Sequence, residues 1–160
     1  MTEAPGLEAQ ITQHMVAAMK ARDADRTGTL RLIKTALKNK LIEKRGPLTS
    51  AEEQQTLATM IKQRRDSIEQ FTKGNRPELA AKEAAEIVVI EEYLPKALDE
   101  AALRALVDEA IAEQTADTGQ KPTPKDMGQV IKRVQAKIQS SGFRAEGRAV
   151  SDAVKAALAS

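Results

Sequence analysis

The sequence is poor in the residues that most often carry chemistry. Among its 160 positions there is no cysteine, no tryptophan and a single histidine, His14, and only three positions hold phenylalanine or tyrosine. The lack of cysteine excludes disulfides, thiolate nucleophiles and sulfur-ligated metals, and it is typical of a reducing compartment. One imidazole cannot complete the usual zinc or di-iron ligand sets. We therefore expect neither a metal nor a cofactor.

Long apolar runs are also missing. No stretch approaches the roughly 20 apolar residues that cross a bilayer. The opening segment, MTEAPGLEAQ, carries acidic and polar residues where a signal peptide would be apolar. These features predict a protein that does not bind a membrane and that lies in the cytoplasm.

Apolar residues recur at helical spacing along the chain, and the scarcity of aromatic residues means that the cores must be aliphatic. This pattern predicts an all-α protein with seven helices. Pro95, in the segment EEYLPKALDE (91–100), interrupts the periodicity because proline lacks the amide that a helix interior needs. We expect an N-terminal bundle of about four helices over residues 1–95 and a smaller three-helix bundle over residues 96–160.

Start and stop signals place the helix ends. In the first bundle we expect helices over about residues 7–22 and 26–45, from Thr49 or Ser50 to a stop at Gly74, and over about residues 77–94. Ser50 and Glu53 have the spacing of a capping box. In the second bundle we expect helices from Asp99 to about Thr115, from Thr123 onward, and through Val150, Val154 and Leu158.

A charged residue interrupts the apolar stripe of the third helix. Arg64 lies within the stripe that runs over residues 57–71, and a buried guanidinium needs an anionic partner. An antiparallel hairpin would bring Glu83 of the fourth helix level with Arg64 and place Glu86 one turn away. We predict a structural ion pair of Arg64 with Glu83 or Glu86. The alternative is a functional charged pocket with shifted ionisation.

Basic residues are concentrated in two segments. From Lys20 to Arg45 there are nine basic and three acidic residues, and from Lys121 to Lys155 there are eight basic and three acidic ones. Such segregation is compatible with an anionic partner, although solvated helix faces also produce it. Four cations of the second helix fall within about 60° of one another at 3.6 residues per turn. We call them the basic ridge: Arg31, Lys34, Lys38 and Arg45.

The second basic segment supplies RNA-binding candidates that we call the C-terminal basic set: Lys132, Arg133, Lys137, Arg144 and Arg148. Helical periodicity places the first three on the solvent face of the sixth helix. The other two flank Phe143 in a loop, where an aromatic ring can stack on an unpaired base or instead cap the helical core. Phosphates attract such cations through an electrostatic term that is largely independent of sequence.

No pair of groups suited to bond-making is evident. The segment GFRAEGRA (142–149) has glycines at P-loop spacing, but arginine replaces the lysine, alanine replaces the hydroxyl residue, and no strand precedes it. Ser140 and Ser141 lack a visible base and oxyanion site. We therefore name no catalytic residue.

A resemblance to a known family is carried by six segments: MVAAMKARD (15–23), LRLIKTALKNK (30–40), IKQRRDSIEQF (61–71), EEYLPKAL (91–98), KDMGQVIKRV (125–134) and EGRAVSDAVKAAL (146–158). In this order they resemble the YqeY-like family over nearly the whole chain. The C-terminal region is similar to the tail domain of GatB, a subunit of the amidotransferases that convert mischarged Glu-tRNA or Asp-tRNA to Gln-tRNA or Asn-tRNA. The resemblance implies a module that binds tRNA or accompanies an amidotransferase, without catalysing a reaction itself.

Three functions are compatible with these observations. The first is a noncatalytic helper that binds tRNA or another structured RNA through the C-terminal basic set, with no DNA expected. The second is an adaptor whose first bundle docks a protein partner through an exposed apolar groove. The third is an amidotransferase-like enzyme, a carbon–nitrogen ligase with glutamine as amido-N-donor, which would act through Arg64 and the carboxylates around it.

Overall fold

Helices make up most of the described chain. The computed structural model describes residues 5–159, and within them it contains seven α-helices, one short 3-10 helix and no strand. The prediction of an all-α protein is confirmed. The first four residues of the opening segment and the final serine lie outside the described residues. Of the helices described, none combines the length and the apolar character that a bilayer crossing requires.

Contacts along the chain divide it after Leu94 into two compact units. The first unit contains α1 (Leu7–Lys20), α2 (Ala24–Lys44), α3 (Ser50–Lys73) and α4 (Pro77–Glu91). The second unit contains α5 (Glu100–Thr118), the 3-10 helix (Pro124–Asp126), α6 (Met127–Ser141) and α7 (Gly147–Leu158). Each unit buries its own aliphatic cluster. That each unit folds as an independent domain stays a prediction.

α2 is the central helix of the first unit, because it packs against α1, α3 and α4. Leu30 and Ile33 are fully buried on its inner face, and Leu37 is nearly so. The neighbouring helices contribute the other fully buried large side chains: Ile11, Leu57, Ile61 and Ile90. Burial of this apolar stripe fixes the rotation of α2 about its own axis, and hence the direction in which its opposite face points.

The capping box of α3 lies one residue earlier than predicted. The Thr49 hydroxyl accepts a hydrogen bond from the Glu52 amide at 3.1 Å, and the Glu52 carboxylate accepts one from the Thr49 amide at 3.2 Å. Glu52 also pairs with Lys44, in the last turn of α2. These hydrogen bonds, with Lys44 first and the Thr49 amide second, lower the pKa of Glu52. The predicted pairing of Ser50 with Glu53 is therefore wrong.

Three other helices begin or end away from their predicted positions. α2 starts directly after Asp23, whose carboxylate accepts a hydrogen bond from the Arg26 amide at 3.0 Å. α4 ends at Glu91, because the amides of residues 92–94 bond to carbonyls only three residues back and so tighten the last turn. α5 extends past its predicted end to Gly119, which takes a φ of 76° that favours glycine.

Three consecutive residues at the C-terminal end of α4 tie it to the other helices of the first unit. We call Glu91, Glu92 and Tyr93 the α4 clasp. The contacts are Glu91 Oε1 to Arg65 Nη2 of α3 (3.8 Å), Glu92 Oε2 to Arg26 Nη1 of α2 (2.8 Å), and the Tyr93 hydroxyl to His14 Nδ1 of α1 (2.6 Å). Successive residues of a helical turn point in directions about 100° apart, so three in a row can reach three different neighbours.

The second unit is a three-helix bundle in which α5, α6 and α7 all pack against one another. Its fully buried large side chains are valines: Val107, Val130, Val134, Val150 and Val154. The loop between α6 and α7 is fixed by backbone pairing, since the Arg144 amide donates to the Lys96 carbonyl at 3.1 Å and its carbonyl accepts from the Leu98 amide at 2.8 Å.

Replacing Ile33 by alanine is expected to lower the free energy of unfolding by about 2–5 kcal/mol, because it leaves a cavity beneath α2. The neighbouring Leu32 is 46% exposed, so Leu32→Ala is the matched control and should change stability by only about 0.5 kcal/mol. Urea denaturation followed by circular dichroism measures both. Equal effects of the two substitutions would contradict the placement of Ile33 in the core.

Tyr93, the one tyrosine of the chain, reports on the α4 clasp. Burial raises the pKa of Tyr93, the charge of Arg26 lowers it, and the charge of Glu92 raises it. Because the folded pKa is raised, the linked stability is present below the unfolded pKa and is lost as pH rises through the folded one. In an ultraviolet absorbance titration, Tyr93 should ionise at higher pH in the folded protein than in urea.

Two substitutions separate the charges that act on this tyrosine. Glu92→Gln should lower the midpoint of the Tyr93 titration, and Arg26→Gln should raise it, because each removes one of the two opposing charges. An unshifted midpoint in the folded wild-type protein would contradict the burial of this ring.

Candidate nucleic-acid interface

The basic ridge keeps its charge uncompensated. Arg31, Lys38 and Arg45 are exposed and Lys34 is half-buried. None of the four forms an ion pair with a described residue, and residues 26–42 include no acidic side chain. The other cations of α2 are paired: Arg26, which precedes the ridge, with Glu92, and Lys40 and Lys44, which lie between Lys38 and Arg45, with Glu43 and Glu52. The helix therefore presents one row of cations that is available to an external anion.

Acidic residues of α5 neutralise two members of the C-terminal basic set. Lys137 Nζ lies 2.5 Å from Glu113 Oε1 and 3.1 Å from Glu109 Oε1, and its side chain is only 18% exposed. The same two carboxylates raise the pKa of Lys137. Arg133 pairs with Asp117 at 2.8 Å. The expectation that Lys137 lies on the solvent face is wrong, because the side chain lies between α5 and α6.

A groove of about 490 Å³ between α5 and α6 is lined by four of these charged side chains: Glu109, Glu113, Arg133 and Lys137. Two are acidic and two are basic, so their charges sum to zero. A phosphate entering the groove would have to compete with carboxylates that already hold the cations at hydrogen-bond distance. The groove is therefore a poor phosphate site.

The remaining members of the C-terminal basic set lie nearer to solvent. Lys132 and Arg148 are exposed, and Arg144 is half-buried with its Nε donating to the Pro95 carbonyl at 3.1 Å. Phe143 is 44% exposed and lies on the same loop between α6 and α7, next to Arg144. Phe143 and Arg144 thus lie on an accessible loop, whereas Lys137 and Arg133 form ion pairs with carboxylates of α5. That any of them contacts RNA stays a prediction.

Arg64 pairs with Glu86 across α3 and α4. Nε and Oε2 are 2.9 Å apart, and the two side chains are 12% and 14% exposed. The guanidinium also donates to the Met60 carbonyl at 3.1 Å. Glu83, the other predicted partner, lies half-buried one turn earlier on α4. This arrangement satisfies a nearly buried cation and links two helices, which is what a structural ion pair requires.

The reactive side chains considered from the sequence are held in structural hydrogen bonds. His14 Nδ1 contacts the Tyr93 hydroxyl, the Ser140 hydroxyl donates to a carbonyl of its own helix at 3.1 Å, and the Ser141 hydroxyl does so at 2.6 Å. Within residues 5–159 no three histidine or acidic side chains are grouped so that they could hold a metal ion.

Fold and surface together define an all-α protein of two helical units with a cationic face. The family described as Yqey-like protein matches residues 8–158. The chain therefore belongs to the YqeY-like family, which confirms the resemblance seen in its six segments.

Three curated relatives carry the name "Altered inheritance of mitochondria protein 41, mitochondrial". The one from Lachancea thermotolerans is 30% identical over 138 residues, covering 86% of this chain and 73% of that protein. The one from Eremothecium gossypii is 34% identical, covering 76% and 68%, and the one from Kluyveromyces lactis is 30% identical, covering 91% and 78%. Because these names read "mitochondrial", the cytoplasmic location expected for this chain stays a prediction.

Removing one member of the Arg64–Glu86 pair should be more harmful than removing both. Glu86→Leu is expected to lower the free energy of unfolding by about 3 kcal/mol, because it leaves the nearly buried guanidinium of Arg64 without an anionic partner. The double variant Arg64→Met/Glu86→Leu should recover most of that loss. Denaturant unfolding of both variants is the measurement. A double variant no more stable than the single one would contradict a purely structural pair.

Proposed function

We propose that this protein is a noncatalytic helper that binds tRNA, in association with tRNA-dependent amidotransferases. The observation that carries the proposal is the basic ridge, whose four cations have no carboxylate partner among the described residues. The similarity of the C-terminal region to the GatB tail domain supports tRNA as the anion. Phosphates bind such cations with release of counterions.

The ridge carries an energetic cost in the absence of an anion. Arg31 and Lys34 are three residues apart, and Lys34 and Lys38 are four apart, so both pairs are neighbours on the helix surface. Like charges at these spacings destabilise an isolated helix by about 0.2–0.5 kcal/mol per pair. A bound phosphate removes this repulsion, so the arrangement favours an anionic ligand.

The second unit offers secondary contacts. Lys132 and Arg148 are exposed, and the half-exposed ring of Phe143 is suited to stacking on an unpaired base. Lys137 and Arg133 contribute less, because α5 carboxylates already occupy them. We therefore rank the basic ridge above the C-terminal basic set as the main RNA contact.

The noncatalytic part of the proposal rests on how the reactive groups are used. The imidazole of His14 is hydrogen bonded to the Tyr93 hydroxyl, and the guanidinium of Arg64 forms an ion pair with Glu86. A nucleophile needs a base within hydrogen-bond reach and an oxyanion site beside it. In the described part of the chain, Ser140 and Ser141 instead donate to helix carbonyls.

The purified protein is expected to bind tRNA at about 50 mM salt, with an affinity that falls steeply as salt rises to about 200 mM, because counterion release drives the interaction. Fluorescence anisotropy of labelled tRNA measures this. No measurable affinity at the lower salt would overturn the proposal. Ammonia release from glutamine by the purified chain, lost in a folded Arg64→Ala variant, would instead favour the amidotransferase-like enzyme.

A further inference from the structure

We infer that the basic ridge binds the phosphate backbone of double-helical RNA stems, whatever their base sequence. The inference rests on the RNA-binding function proposed above and specifies the form of RNA and the surface that contacts it. Three properties of the first unit support it: the fixed spacing of the cations, the lack of an exposed ring beside them, and the chemistry of the side chains on the ridge.

The cations of the ridge are held at fixed spacing by the core. Leu30, Ile33 and Leu37, on the face of α2 beside the ridge, are buried, so the helix is anchored over the span that carries Arg31, Lys34 and Lys38. At a rise of 1.5 Å per residue, Arg31 lies about 10 Å from Lys38 along the helix axis, and Arg45 follows the last residue of α2 as its left-handed C-cap. A rigid row of charges suits the regular phosphates of a duplex, whereas a flexible strand would lose conformational entropy in matching it.

The first unit has no exposed phenylalanine or tyrosine ring on which an unpaired base could stack, and its exposed imidazole, His14, is hydrogen bonded to Tyr93. Its two phenylalanine or tyrosine side chains, Phe71 and Tyr93, are both half-buried, and the Tyr93 hydroxyl is held by His14. Proteins that bind single strands combine basic grooves with aromatic rings on which successive bases stack. The basic ridge lacks that second element, which favours paired over unpaired RNA.

The side chains on the ridge suit phosphates better than base edges. Its polar groups are ammonium and guanidinium ions, which are common ligands of phosphate oxygens. Ile42, which lies about 40° from Lys38 on the helix, is 60% exposed and offers no hydrogen bond to a base. Double-stranded RNA is recognised mostly through shape and backbone contacts of this kind. Binding should therefore depend little on sequence.

The test compares a perfectly paired RNA hairpin with an oligouridine of the same number of phosphates, by fluorescence anisotropy at about 50 mM salt. We expect the full chain to bind the hairpin about tenfold more tightly, because the ridge supplies fixed charge without stacking. The triple variant Arg31→Gln/Lys34→Gln/Lys38→Gln should weaken hairpin binding and lower the log–log salt slope by about 3, one for each lost phosphate contact.

A matched control removes the same charge from elsewhere in the first unit. Lys20, Lys62 and Lys82 are exposed, so Lys20→Gln/Lys62→Gln/Lys82→Gln should leave hairpin affinity and salt slope near those of the wild type. Circular dichroism checks that each variant is folded. Because Lys34 is half-buried, the double variant Arg31→Gln/Lys38→Gln, with both positions exposed, replaces the triple one if helicity is lost.

Two kinds of failure can be told apart. Equal binding of hairpin and oligouridine, or equal losses in the ridge variant and its control, would overturn the inference and leave RNA binding intact. Absence of binding to tRNA, hairpin and oligouridine alike would overturn the proposed function together with the inference.

Discussion

The burial of the apolar face of α2, beside which the basic ridge lies, is the constraint on which the first unit depends. Burying Leu30, Ile33 and Leu37 contributes roughly 5–9 kcal/mol at about 1.5–3 kcal/mol per side chain. The two like-charge pairs of the basic ridge cost roughly 1 kcal/mol or less together. Burial therefore dominates, and the core holds the basic ridge in place although its cations repel one another.

The basic ridge and the C-terminal basic set contain similar numbers of cations, but they differ in whether those cations are paired with carboxylates. Lys137 and Lys38 are both helical lysines, yet Lys137 lies against two carboxylates of α5 and Lys38 against none among the described residues. A carboxylate within hydrogen-bond distance both neutralises a cation and orders it, so a phosphate gains little by approaching. The same composition thus yields a structural contact in one unit and a row of cations without carboxylate partners among the described residues in the other.

The segment EEYLPKAL, which contributes to the family resemblance, has a structural use in this protein. Its first three residues form the α4 clasp and reach α3, α2 and α1 in turn. The Arg64–Glu86 pair similarly joins α3 to α4 at an apolar contact. Polar residues that stand out in this helical sequence therefore join neighbouring helices of the first unit.

Local patterns were sufficient for the all-α class, the seven helices and the family, because the spacing of apolar residues reports the face that a helix must bury. They were insufficient for the cap of α3, where two carboxylates had similar spacing and only the approach of Lys44 distinguished Glu52. They also misplaced Lys137, whose partners lie 28 and 24 residues away in sequence. Tertiary structure alone decided which cations have partners, because ion pairs form between residues that the fold brings together and that no local period connects.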